Sequence, residues 1–301
     1  MRFIDQDTLR TAAWLGWPLA LYSTFSNSVI PAFARSVILS GVSPSLLLLI
    51  RLVLSVVLLI GTMLLIDKRK LLIDKRGLWL VSVTGLISGV EICVFFLSLA
   101  YLDASMAAML KSTQPLMVLL ILRLGGEALT RRHFVRIGLA MGGIYLLVGP
   151  SGVVSVTGVV LIAISVVLYA LQLVFTQWYL HSYDSTTVTT YLLSWMTLVT
   201  FGWWLLDGAT WQQPNTQSWL IIIFLAVFST YLARIALYSA VTRIGSGQVS
   251  LLWPLQMFLA VIVSVIFLQE YLTSWQWIGG LLILLSALLA IERIGNIRVF
   301  R

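Results

Sequence analysis

Apolar residues run along this chain in long blocks, broken at short intervals by charge clusters and by Gly, Ser and Pro. A helix that crosses about 30 Å of hydrocarbon needs about 20 mostly apolar residues, because each residue adds 1.5 Å. Ten runs fit that description: 15–37, 45–66, 78–100, 104–123, 134–149, 157–178, 186–206, 218–239, 246–268 and 275–293. Ten such helices occupy about 200 positions, so short loops and two tails share the remainder and no soluble domain fits among them. The first run lacks a basic leading segment and a small-residue cleavage site, so it is expected to remain as a helix. The pattern predicts an all-α polytopic membrane protein.

Composition agrees. Of 301 residues, 60% are hydrophobic and 10% charged, with a mean hydropathy of +1.01. Soluble domains carry about 25% charged residues, so a soluble enzyme or a nucleic-acid-binding module is excluded. The net charge of +8 gains meaning from its distribution. With the N-terminus inside, Arg2, Arg10, Lys68, Arg69, Lys70, Lys75, Arg76, Arg123, Arg131, Arg132, Arg136, Arg243, Arg293, Arg298 and Arg301 fall on the cytoplasmic side, and only Arg35 falls outside. That bias places both termini in the cytoplasm, in a plasma or inner membrane. Cys93 is the single cysteine and His133 and His181 the only histidines, so no disulfide, metal or cofactor is expected. His-Glu-x-x-His, Gly-x-Ser-x-Gly and paired intramembrane acids are all absent, which argues against an enzyme.

The two halves repeat one another. Pro115-Leu116, Glu127-Ala128-Leu129-Thr130 and Gly138 in the first are echoed by Pro254-Leu255, Glu270-Tyr271-Leu272-Thr273 and Gly279-Gly280 in the second. The halves divide as 1–150 and 151–301, with five helices each. Five is odd, so the second copy must enter the membrane from the opposite side. Ten transmembrane helices in two inverted five-helix repeats are a signature of secondary transporters, whose substrate site lies near the midplane where the repeats meet. With both repeats on one chain, a monomer suffices.

On these residues the chain resembles the drug/metabolite transporter superfamily, EamA-type, over essentially its whole length. The duplicated prolines, the Glu-x-Leu-Thr turns before the fifth and tenth helices, and Arg51 in the second helix carry the resemblance. It implies a carrier with a central cavity that moves, and often exports, amino acids or other small metabolites. Lys111-Ser112-x-x-Pro115 looks more like the fourth helix of triose-phosphate and nucleotide-sugar antiporters, which recognise anions. The second half lacks their matching Lys-Arg pair.

Ionisable groups inside a membrane are expensive and mark candidate sites. At 1.5 Å per residue, Arg51, Lys111 and Glu91 lie about 9, 10 and 15 Å below the outer ends of their runs, near enough to share one layer. Either they form a structural ion pair, or they hold a substrate, with Lys111 on an anionic group. Arg234, nearer the inner end of the eighth run, is expected to snorkel to lipid headgroups. Asn27, Gln114, Trp253 and Gln256 add polar and aromatic candidates for substrate contact, and Gln172 and Gln248 punctuate other apolar runs. Pro31, Pro115 and Pro254 are expected to break their helices, with Pro115 and Pro254 bordering the cavity at equivalent positions. Gly85-x-x-x-Gly89 and Gly138-x-x-x-Gly142 predict close helix contacts. The expected partners are a small-molecule substrate and the lipid bilayer.

Overall fold

The computed structural model describes residues 6–66, 72–124, 131–148, 155–180, 183–244 and 252–291. Among these residues, thirteen α-helices and one π-helical segment account for ten crossings. The first crossing is α1 (Gln6–Ser28) with α2 (Ile30–Leu39), the second α3 (Pro44–Ile66), and the third α4 (Lys75–Ser98). The fourth is split into α5 (Ala104–Lys111) and α6 (Gln114–Leu124), and the fifth is α7 (Arg131–Val148). Then come α8 (Val156–Tyr179) and α9 (Ser185–Leu206), and an eighth crossing of α10 (Thr216–Ala226), the π-segment Val227–Leu232 and α11 (Ala233–Ile244). The last two are α12 (Trp253–Leu268) and α13 (Ser274–Ile291).

Local chemistry sets these boundaries. The side chains of Asp74, Ser155, Asp184 and Asn215 accept bonds from backbone N–H groups in the first turns of α4, α8, α9 and α10, donors that a helix cannot satisfy internally. Pro31, Pro115 and Pro254 are each the second residue of a helix. A missing N–H goes unnoticed there, whereas in mid-helix it breaks the ladder. The expected breaks therefore occur two to three residues ahead of Pro31 and Pro115, at Val29 and at Ser112–Thr113.

Among the described residues, four stretches are long and apolar enough to cross a membrane on their own: Pro44–Leu65, Lys75–Ser98, Val156–Thr176 and Thr216–Leu237. Large apolar side chains such as Val57, Leu65, Met141, Leu220 and Ile266 are exposed on the rim of the bundle, as a protein solvated by lipid tails requires.

Contacts between the halves come in exchanged pairs. The third crossing packs on the sixth as the eighth packs on the first, and the third packs on the seventh as the eighth packs on the second. The second meets the seventh, the fourth the ninth, and the fifth the tenth, each its own counterpart. This is the contact pattern of two repeats related by a pseudo-twofold axis, and the interface they enclose is where a site should lie.

One glycine pair behaves as expected. A Cβ on Gly85 would stand 2.5 Å from Trp195 Cβ, and one on Gly89 2.7 Å from Val199 Cβ, so α4 and α9 approach closely there. Gly138 and Gly142 correct the expectation: they are exposed, and a Cβ on either meets nothing within 4 Å. The contact glycine of α7 is Gly143, where a Cβ would lie 2.7 Å from the Gly279 carbonyl oxygen of α13.

Candidate functional site

A cavity of about 570 Å³ lies between the halves, with walls drawn from both. That volume suits a metabolite-sized ligand. At one end it reaches Leu180, Tyr183 and Val188, where α8 passes into α9. At this mouth the Tyr183 hydroxyl bonds the Asp74 carboxylate, which holds the phenol above its ordinary value.

At the opposite end of the bundle a charge cluster lies beyond the residues that line the cavity. Arg35, late in α2, places Nη2 2.7 Å from Asp103 Oδ1 and Nε 3.6 Å from Glu270 Oε1. Its Nη1 donates to the carbonyls of Leu99, at 2.9 Å, and Leu102. Glu270 in turn caps α5: its carboxylate accepts the backbone N–H of Ala104 at 2.8 Å and of Ser105 at 2.9 Å, together with the Ser105 hydroxyl. A carboxylate there also complements the positive end of the helix dipole. One cluster thus ties α2, the α4–α5 connection and the α12–α13 connection together.

Inside the cavity the expected residues are brought together in two groups. Glu91 of α4 accepts Lys111 Nζ at 3.0 Å and the Ser165 hydroxyl of α8 at 2.7 Å, both on Oε1. The Lys111 ammonium also sits 3.5 Å from the Phe95 ring centroid, a favourable cation–π position. Arg51 does not join this pair. Its Nε donates to Thr230 Oγ1 at 2.8 Å, and its guanidinium carbon lies 5.5 Å from the Phe96 ring centroid. Arg51 Nη1 is buried without a hydrogen-bond partner among the described residues, and so are Gln114 Nε2 and Ser229 Oγ. All three residues line the cavity.

The remaining candidates also reach its wall. Asn27 Nδ2 donates to Ser23 Oγ at 3.3 Å. Trp253 stands edge-to-face with Tyr169, their centroids 6.4 Å apart. Gln172, Gln256 and Pro31 line the cavity. Pro115 and Pro254 begin their helices as described, but their side chains lie outside the described residues, as do Gln248 and the Glu127–Thr130 turn.

Arg234 is the main departure. It lines the cavity, where the sequence suggested a headgroup contact. Just upstream lies the π-segment Val227–Leu232, where Thr230 Oγ1 bonds the Leu225 carbonyl five residues back at 3.0 Å. A π turn inserts one extra residue and rotates everything after it by about a quarter turn or more. Ser165, Ser229 and Thr230 went unread for a different reason: hydroxyls in apolar helices usually bond their own backbone. The adjacency of Ser229 and Thr230 in an otherwise apolar run was the available signal.

The model of the EamA-like transporter family matches this chain twice, over residues 14–149 and 156–291. Among proteins with curated descriptions, none matches. A protein solved by crystallography superimposes with a TM-score of 0.64 at 18% identity, over 95% of this chain and 99% of its own. That likeness concerns the fold.

Proposed function

This chain belongs to the EamA-like transporter family, and from that premise we propose that it is a secondary carrier that exports a small metabolite of amino-acid size by alternating access. The observation that carries the reading is the asymmetry of the cavity. Its lining includes Tyr183 at one end of the bundle and does not include the clasp residues Arg35, Asp103 and Glu270 at the other. The basic-residue bias puts the Tyr183 mouth in the cytoplasm and the clasp outside. A solute made in the cell would enter by the mouth, and rocking of the repeats would open the clasp and close the mouth. The rival reading, anion antiport through Lys111, finds less support, because Glu91 already neutralises that lysine at 3.0 Å.

Solute counterflow in proteoliposomes tests carriage: external label should accumulate against a preloaded unlabelled pool, and its failure for amino acids, sugars and organic acids alike rejects the reading. Orientation is tested separately by single cysteines at Leu72 and Gln213, since the native Cys93 is buried. An impermeant maleimide added to whole cells should label position 213 and spare 72. Labelling of 72 overturns the orientation and, with it, the export direction.

A further inference from the structure

The cavity holds more positive charge than it can neutralise. Among the described residues, its charged lining is Arg51, Lys111, Arg234 and one acid, Glu91. Glu91 is committed to Lys111 by a 3.0 Å ion pair and is held in place by Ser165. Two guanidiniums are left over. Neither forms an ion pair among the described residues. Arginine, unlike lysine, does not escape burial by losing its proton. A buried, uncompensated cation is costly, and a counter-charge that arrives and leaves with a ligand removes that cost.

Three observations place this charge where a ligand would meet it. Arg51 lines the cavity and is 5% exposed; its Nε donates to Thr230, while its Nη1 is buried without a partner among the described residues. Gln114 Nε2 and Ser229 Oγ, on two further residues that line the cavity, are also buried without a partner among the described residues. Arg234 follows Thr230 by four residues, just beyond the π-segment, and lines the same cavity as Arg51.

Resting on the carrier reading above, we infer that the transported solute is a small organic dianion, a dicarboxylate or a phosphate monoester, gripped between Arg51 of the first repeat and Arg234 of the second. A guanidinium presents paired N–H groups that match the oxygens of a carboxylate or phosphate. Gln114 and Ser229 then donate to oxygens that the guanidiniums leave uncovered. Lys111 and Glu91 shape the wall and do not compete for the cargo. A zwitterion supplies no net negative charge and brings an ammonium towards a wall already in positive excess.

The test is ligand-induced thermal stabilisation of the purified full chain, run beside counterflow, with four probes: succinate, glycerol 3-phosphate, alanine and glycerol. One or both dianions should bind and exchange, which also separates carboxylate from phosphate cargo, while alanine and glycerol should do neither. Arg51→Gln and Arg234→Gln should each weaken dianion binding by about tenfold or more. Because Arg51 also holds Thr230, Arg51→Lys serves as a second variant: it keeps the charge and should retain the dianion preference at reduced affinity. Preferred binding of alanine or glycerol, no binding of either dianion, or dianion affinity within twofold of the parent in both folded Gln variants would overturn the inference. Exchange of alanine would do so while leaving the carrier intact. Dianion binding without exchange of any probe would instead reject carriage.

Discussion

The clasp and the cavity are built from the same residue types and come out differently. At the clasp, Arg35 spends its donors on two carboxylates and two carbonyls, and Glu270 accepts three donors from the start of α5. In the cavity, Arg51 has one side-chain partner and a buried Nη1 left over. A saturated charge cluster holds helices together, and what it needs in order to let go is a competing conformation. An unsaturated one waits for a ligand. Glu91–Lys111 belongs with the clasp by this criterion, although it stands in the cavity wall.

The sharpest way to break that assignment is Glu91→Gln. If the pair is structural, losing its acid strands a buried ammonium and costs about 3–5 kcal/mol, read as a large fall in melting temperature in detergent. Adding Lys111→Met should return most of the loss, since neither charge then remains. A Glu91→Gln protein that melts normally but no longer binds its cargo would move the pair into the ligand site.

Glu270→Gln comes next. An amide keeps one acceptor oxygen but loses the charge facing Arg35 and the α5 terminus, worth about 2–3 kcal/mol together. If the clasp is the outer gate, the same variant should expose the cavity. A cysteine at Ala108, which lines the cavity, should react faster with impermeant maleimide from the clasped side. Unchanged reactivity would leave the cluster as a brace with no part in gating.

A control lies outside both regions. Gly85→Ala should cost about 1–3 kcal/mol, because its Cβ overlaps Trp195 in a packed helix interface. Gly138→Ala, with nothing within 4 Å, should leave the melting temperature unchanged or slightly raised. Equal effects at the two glycines would contradict the packing of α4 on α9.

How much of this the sequence discloses follows from the range of the forces involved. Crossings are legible because lipid demands about 20 apolar residues, whatever packs around them. The breaks at Pro31 and Pro115 are legible because a missing N–H is a local defect. The exchanged contacts between the halves follow from the duplicated proline and Glu-x-Leu-Thr positions. Depth put Arg51, Glu91 and Lys111 in one layer, but depth does not choose partners, and so pairing and ligand binding stayed open. Depth near the inner end of the eighth run pointed Arg234 to the headgroups, and depth does not decide which face of a helix meets the cavity that Arg234 lines. The spacing Gly138-x-x-x-Gly142 misleads for a related reason: spacing finds a narrow helix face, and only the neighbours decide whether that face meets protein or lipid.

The smallest effect is expected inside the clasp itself. Asp103 Oδ1 lies 2.7 Å from Arg35, nearer than the 3.6 Å of Glu270 Oε1, and distance alone would make it the stronger partner. Exposure reverses the order, since the Asp103 side chain is 47% exposed and that of Glu270 7%. Water and salt screen the outer pair, and exposed ion pairs contribute about 0.2–1 kcal/mol. Asp103 also makes no side-chain bond to the start of α5, whereas Glu270 binds two of its backbone N–H groups. Asp103→Asn should therefore lower the melting temperature by a degree or two at most, with a dependence on ionic strength that Glu270→Gln lacks. The pair of melts, taken at low and high salt, decides whether burial or distance sets the strength of the clasp. A larger loss for Asp103→Asn would mean that the outer carboxylate holds Arg35 and that Glu270 serves α5 alone.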